Sequence, residues 1–154
     1  MQGVTFDSCE QLNDLLDESD EIVTTLANAS AFLNGMLQDV NWVGFYLLRE
    51  DSLYLGPFQG KLACTRIAVG KGVCGTAIAQ NRTQRVKDVH LFPGHIACDS
   101  ESNSELVVVL RDRAGNPIGV LDIDSPLPDR FSEEDQREME RAAEIISGKI
   151  NEKR

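Results

Sequence analysis

Two apolar runs joined by a short polar turn constrain this chain more than any other stretch. They are Leu106-Val107-Val108-Val109-Leu110 and Ile118-Gly119-Val120-Leu121-Asp122-Ile123-Asp124, with Asp112-Arg113-Ala114-Gly115-Asn116 between them. The first run, entered through Glu105, is too apolar for a solvent-facing edge. The turn residues fold the second run back on it as a hairpin, which must then lie inside a sheet. On the returning strand Leu121 and Ile123 share one face, Asp122 and Asp124 the other. Two carboxylates cannot rest on a hydrophobic layer unpartnered, so their face opens on a polar pocket, a cation or an amine. The alternative is a frayed strand end with both acids solvated, which Gly119 and Ser125 would also suit.

Upstream, Leu12, Leu15 and Leu16 predict a short helix capped at Asp7 or Ser8, with Cys9 as packing near its start. Ile22, Leu26, Ala29, Leu33 and Leu37 recur at helical spacing from a start near Ser19 or Asp20. The period then drops to two, Trp42, Gly44 and Tyr46 alternating with Val43, Phe45 and Leu47 along a strand. Gly44 between two amphipathic rings either leaves a shallow aromatic pocket or lets both rings cover a second apolar layer. Glu50-Asp51 turns the chain into a strand over residues 53–55 that ends at Gly56-Pro57. An extended segment carrying Cys64 follows. Gly70-Lys71-Gly72-Val73-Cys74-Gly75 then leads into a small-residue helix whose N-terminus would favour an anion or a thiolate at Cys74. The Walker spacing is absent, so this is not a nucleotide phosphate loop. Residues 84–87 form a short strand, and residues 88–104 a long ordered loop with no element of its own. Ser132 and Asp135 open a final helix that buries Met139, Ala142, Ala143, Ile146 and Ile150.

The long loop holds the chemistry. In Gly94-His95-Ile96-Ala97-Cys98-Asp99-Ser100-Glu101-Ser102-Asn103-Ser104-Glu105 a cysteine sits beside one acid and seven positions before another. A thiol is a nucleophile as the thiolate, and a site that must also donate a proton needs a carboxylic acid nearby, so Cys98 and Glu105 form a candidate reacting pair. The plain alternative is that Cys98 is a small buried filler.

The expected fold is α/β of the α+β kind: one domain over residues 1–154, a mainly antiparallel central sheet, long helices on one side, and a loop-covered pocket on the other. The expected core is Ile22, Leu26, Leu33, Val43, Phe45, Leu47, Val107, Val109, Leu121 and Ile146. A net charge of −10 argues against nucleic acid or an anionic membrane as partner. No apolar stretch is long enough to span a bilayer, and residues 1–10 lack a signal-peptide pattern, so a cytoplasmic protein is expected. In that compartment four cysteines are redox-active thiols or metal ligands rather than a structural framework.

Five motifs carry a resemblance: Asn41-Trp42-Val43-Gly44-Phe45-Tyr46; Leu55-Gly56-Pro57-Phe58-Gln59-Gly60; Gly72-Val73-Cys74-Gly75; Asp88-Val89-His90 with Phe92-Pro93-Gly94-His95-Ile96-Ala97-Cys98-Asp99; and Ile118-Gly119-Val120-Leu121-Asp122-Ile123-Asp124-Ser125. From about residue 5 to the last helix the chain resembles the free methionine-R-sulfoxide reductases, a family of GAF-domain enzymes. The resemblance implies a catalytic Cys98, a resolving Cys64 and an auxiliary or alternative Cys74, with Trp42, Tyr46, Glu105, Asp122 and Asp124 around the substrate. It implies thiol-dependent reduction of free L-methionine-(R)-S-oxide through a sulfenic acid and a disulfide recycled by thioredoxin or a similar dithiol, with no metal or organic cofactor. Glu105, held neutral by neighbouring carboxylates, is the candidate acid. Val109 departs from the family, where a proline is expected nearby. Two rivals stand beside this reading: a non-catalytic GAF sensor of a small ligand, and a zinc site using Cys64, Cys74 and Cys98 with His90 or His95, which otherwise order the loop. The apolar first helices would support a homodimer.

Overall fold

The computed structural model describes residues 8–95 and 101–151. A 3₁₀ turn (Cys9–Gln11) leads into helix α1 (Leu12–Leu15), followed by helix α2 (Ile22–Met36). Strands β1 (Trp42–Arg49), β2 (Ser52–Gln59) and β3 (Arg66–Ala68) come next, then helix α3 (Gly72–Gln80) and strand β4 (Gln84–Val86). A second 3₁₀ turn (Val89–Leu91), the hairpin of β5 (Ser104–Arg111) and β6 (Pro117–Ser125), and helix α4 (Glu133–Asn151) complete the fold. The sheet runs β3-β2-β1-β6-β5-β4, with antiparallel pairing between every pair of neighbours. The apolar hairpin thus occupies two inner positions, as its composition requires.

Local chemistry sets the helix starts. Ser8 and Gln11 form a reciprocal cap on the first turn. Before α4 the Ser132 N–H donates to Asp135 Oδ2 at 2.8 Å and the Asp135 N–H to Ser132 Oγ at 3.1 Å, the expected capping box. Leu12 and Leu16 are buried, but Leu15 is half exposed: α1 is one turn long, and at Leu16 the chain is already extended. Among the described residues no helix is long and apolar enough to cross a membrane.

Four expectations need correction. β2 does not stop at Gly56-Pro57. Gly44 pairs with Phe58 and Tyr46 with Leu55, so Phe45 alone faces Gly56 and Pro57, and the bulge takes in the proline that has no N–H to offer a ladder. The long loop has an element of its own, the turn Val89–Leu91, capped where Asp88 accepts from the His90 N–H. β5 starts at Ser104, one residue before Glu105. Finally, Val107 and Val109 are not in the helix-side core. That core joins Leu106, Val108, Leu110, Leu121 and Ile123 to α1, α2 and α4, whereas Val107 and Val109 face a second buried layer with Trp42, Tyr46, Cys74 and Ala77. Both sheet faces are therefore covered, by the long helices on one side and by the short α3 on the other.

Candidate functional site

The second face is where strand register brings the polar residues together. Trp42 of β1 lies opposite Asp124 of β6, and Asp124 opposite Glu105 of β5. One row along, Gly44 lies opposite Asp122, and Asp122 opposite Val107. Partners on neighbouring strands stand about 5 Å apart, so three carboxyl groups from two strands crowd one corner of the sheet. The first turn of α3 rests over them and delivers Cys74 to Asp122. The pairing of aspartates on one face expected from the sequence is thus present, and it opens on a cavity lined by Trp42, Tyr46, Cys74, Glu105, Asp122 and Asp124. Lys71, His95 and Ser102 also line it; the sequence offered His95 only as a zinc ligand or loop-ordering residue and singled out neither of the other two. The space within it is about 40 Å³, room for a water-sized occupant.

Gly44 does not leave an open aromatic slot. A Cβ there would meet Phe58 Cβ at 2.3 Å and Trp42 Cη2 at 2.8 Å, so the missing side chain is filled by its neighbours. Trp42 stacks on Phe58 and on Tyr46, with ring centroids 5.1 and 5.9 Å apart. Both site rings are buried and so form a rigid wall. Their polar ends are tied to the segment that follows β2: Trp42 Nε1 donates to the Lys61 carbonyl at 3.1 Å and the Tyr46 hydroxyl to the Cys64 carbonyl at 2.9 Å.

Electrostatics follow from burial. Glu105 is held well above the usual carboxylate range, chiefly by desolvation and then by the charges of Asp122 and Asp124. Asp122 is also raised by burial, but hydrogen bonds from Glu105 and Cys74 work the other way and favour its ionised form. Glu105 is thus held toward its neutral form, and the hydrogen bonds that Asp122 receives make it the better carrier of negative charge; Asp122 Oδ1 has no hydrogen-bond partner among the described residues. Cys74 corrects another expectation. It stands in the first turn of α3, yet burial and the nearby Asp122, Glu105 and Asp124 push its thiol well up, so the helix end does not produce a thiolate. Burial and His90 together lower the pKa of His95.

Of the remaining candidates, Cys64 is disulfide-bonded, and Cys9 and Cys74 are free thiols. Cys98 lies outside the described residues. Among the described residues Cys74, Glu105 and Asp122 offer possible metal-ligand atoms within 4.8 Å of one another. Cys74 and Glu105 hold protons that a cation would first have to displace. Among the described donors of the zinc alternative, Cys64 is in a disulfide and His90 Nε2 is 3.1 Å from Asn103 Oδ1. An acid held toward its neutral form beside a carboxyl whose hydrogen bonds favour charge, under a wall of aromatic rings, suits a small cationic substrate that must receive a proton.

The GAF domain family matches residues 14–150. The free methionine-R-sulfoxide reductase of Escherichia coli is 57% identical over 125 residues, covering 81% of this chain and 75% of that protein. The reduced form of fRMsr of Staphylococcus aureus superimposes with a TM-score of 0.88 at 48% identity, over 92% of both chains. The free methionine-R-sulfoxide reductase from Neisseria meningitidis, in complex with its substrate, superimposes with a TM-score of 0.88 at 39% identity, over 99% of both chains. An antiparallel sheet covered on both faces, and identity of this order over most of the chain, lead to one assignment: the chain belongs to the free methionine-R-sulfoxide reductases, a family within the GAF-domain proteins.

Proposed function

We propose that this protein reduces free methionine-(R)-sulfoxide to methionine by thiol chemistry, Cys98 being the nucleophile and Cys64 the resolving thiol. The observation that carries the reading is the gathering of Glu105, Asp122, Asp124 and the Cys74 thiol in one cavity walled by Trp42 and Tyr46, where burial holds Glu105 toward its neutral form. The relatives named as reductases of this substrate support it. A free amino acid brings an ammonium that must be paired on burial, and Asp122 with Asp124 supplies the opposite charge. The α-carboxylate turns to the first turn of α3, which has no side-chain cap and lines the cavity at Gly72 and Val73. The methyl sulfoxide end then lies along Trp42 and Tyr46.

Cys98 attacks the sulfoxide sulfur while Glu105 protonates its oxygen, giving a transient bond between the two sulfurs. The hydroxyl passes from the methionine sulfur to the Cys98 sulfur, the bond between the sulfurs breaks, and methionine leaves with Cys98 as a sulfenic acid. Cys64 attacks that sulfur, water departs, and the resulting disulfide is reduced by an external dithiol such as thioredoxin. Cys74, buried and protonated, is a hydrogen-bond donor to Asp122 rather than a second resolving thiol. A disulfide at Cys64 fits the oxidised form of this cycle, and substrate enters after reduction. A homodimer through the first helices would use the exposed Leu15 and Val23.

The test incubates reduced protein with free methionine-(R)-sulfoxide and a dithiol. Methionine should form catalytically, Cys98→Ser should form none, and Cys64→Ser should give one equivalent and stall with thioredoxin. Binding without any methionine would establish the sensor reading instead, and full activity in Cys98→Ser would end the assignment of the nucleophile.

A further inference from the structure

We infer that Tyr46 is a positioning residue for the resolving thiol, its hydroxyl fixing the backbone from which Cys64 reacts, with Trp42 as a second anchor of the same segment. This rests on the role of Cys64 proposed above. Residues 60–65 belong to no helix or strand, yet they carry the thiol that must meet a second sulfur at bonding distance. Three hydrogen bonds tie their carbonyls down: Trp42 Nε1 to Lys61 (3.1 Å), the Tyr46 hydroxyl to Cys64 (2.9 Å), and the Leu55 N–H to Thr65 (3.0 Å). Two of the three come from the stacked rings of β1, which are buried and cannot swing. The segment is also pressed against those rings. Gly60, at φ +143°, lies where a Cβ would come within 2.5 Å of Trp42 Cδ1, so the chain crosses the indole edge at a distance only glycine permits. Burial and the neighbouring carboxyls raise the pKa of the Tyr46 phenol, so it remains a donor throughout the neutral range. The Lys61–Glu101 ion pair is mostly exposed and adds little.

The consequence is kinetic. When Cys64 displaces water from a sulfenic acid, the rate depends on how well the segment holds the attacking sulfur in line, and a shift of about 1 Å can cost about a hundredfold. Tyr46→Phe keeps the ring and its stacking and removes only the oxygen that holds Cys64. Reduced protein is oxidised with one equivalent of hydrogen peroxide in the presence of dimedone, which captures sulfenic acid. Peroxide converts the Cys98 thiol to sulfenic acid and water. That species then either closes to the Cys64 disulfide with loss of a second water or forms the dimedone adduct. The partition, read by intact mass, does not depend on how fast the first step is.

Wild type should close mostly to the disulfide. Tyr46→Phe, checked to melt cooperatively, should raise the ratio of adduct to disulfide at least tenfold. Trp42→Phe, whose lost bond lies three residues from the thiol, should raise it by a smaller factor. An unchanged partition in Tyr46→Phe overturns the inference. A parallel arm with free methionine-(R)-sulfoxide in place of peroxide separates the two ideas: if wild type reacts with peroxide and not with the sulfoxide, the substrate assignment fails, while the peroxide arm still decides the role of Tyr46.

Discussion

The two faces of β6 are built from alternate residues of one strand, and they are held in opposite ways. Leu121 and Ile123 are fully buried in the helix-side core with Met139 and Ile146, where stability comes from apolar area removed from water, about 25 cal/mol per Å². Asp122 is almost as deeply buried on the other face, but among two further carboxyls and a thiol, where desolvation works against the charged form. One face contributes folding free energy and the other spends part of it on a site ready for a cation. Stability and activity should therefore separate residue by residue along the strand.

The largest effect expected is a split between neighbours. Asp122→Asn removes the negative charge with little change in shape, so kcat/KM for the free sulfoxide should fall by about a hundredfold or more, the order of loss when one partner of a buried charge pair is removed. The thermal midpoint of the substrate-free variant should hold or rise. Leu121→Ala should do the reverse, costing about 2–5 kcal/mol of stability while kcat/KM of the folded fraction stays within about twofold. Chemical denaturation and steady-state kinetics on both variants check this. Equal losses of stability in the two would abolish the distinction between the faces.

The pH dependence sharpens it. Folding raises the Glu105 pKa well above its ordinary value of 4.5, so the folded protein holds a proton that the unfolded chain gives up. That contribution is complete below about pH 4.5 and is lost as pH rises through the folded value. The thermal midpoint of reduced, substrate-free protein should therefore gain from Glu105 as pH is lowered from 8 toward 5, and Glu105→Gln should flatten that part of the profile. Catalysis should decline over the same rise, because the proton needed for the departing oxygen is lost. The helix side has its own titrating group, Cys9, but burial and Glu138 raise it above an ordinary value of 9.0, so its contribution is lost only in alkaline solution. A profile unchanged by Glu105→Gln would mean that the acid is not the proton-bearing member of the cluster.

How far the sequence could be read depended on period. Asp122 and Asp124 alternate with Leu121 and Ile123, so the face of each was plain, and register with Trp42 and Glu105 then assembled the site. Leu106-Val107-Val108-Val109-Leu110 has no alternation, because both faces of β5 are buried, and Val107 and Val109 were expected on the wrong one. Gly56-Pro57 looked like an end because a bulge can be identified only with its partner strand in view. Cys74 misled in another way. Its helix end was visible in the sequence, but the acids that oppose ionisation come from β5 and β6, dozens of residues away. The hydrogen bonds from Trp42 and Tyr46 to residues 61 and 64 had no signal at all, since backbone carbonyls carry no letter.

The smallest expected effects come from Cys9 and Cys74, the two free buried thiols among the described residues, one on each face. Cys9→Ala removes a small apolar contact from the helix-side core, so it should cost about 1 kcal/mol and leave kcat/KM unchanged. Cys74→Ala removes a hydrogen bond that favours ionised Asp122, so the ammonium should bind more weakly and KM should rise severalfold more than kcat falls. Cys74→Ser restores a donor at the same place and should recover most of that loss, which filling space alone would not. The serine variant also separates hydrogen bonding from redox chemistry. If Cys74→Ser stalled after one equivalent of methionine, as Cys64→Ser should, the thiol on α3 would be passing electrons, and the pocket face would hold two redox centres instead of one thiol that aligns a carboxylate.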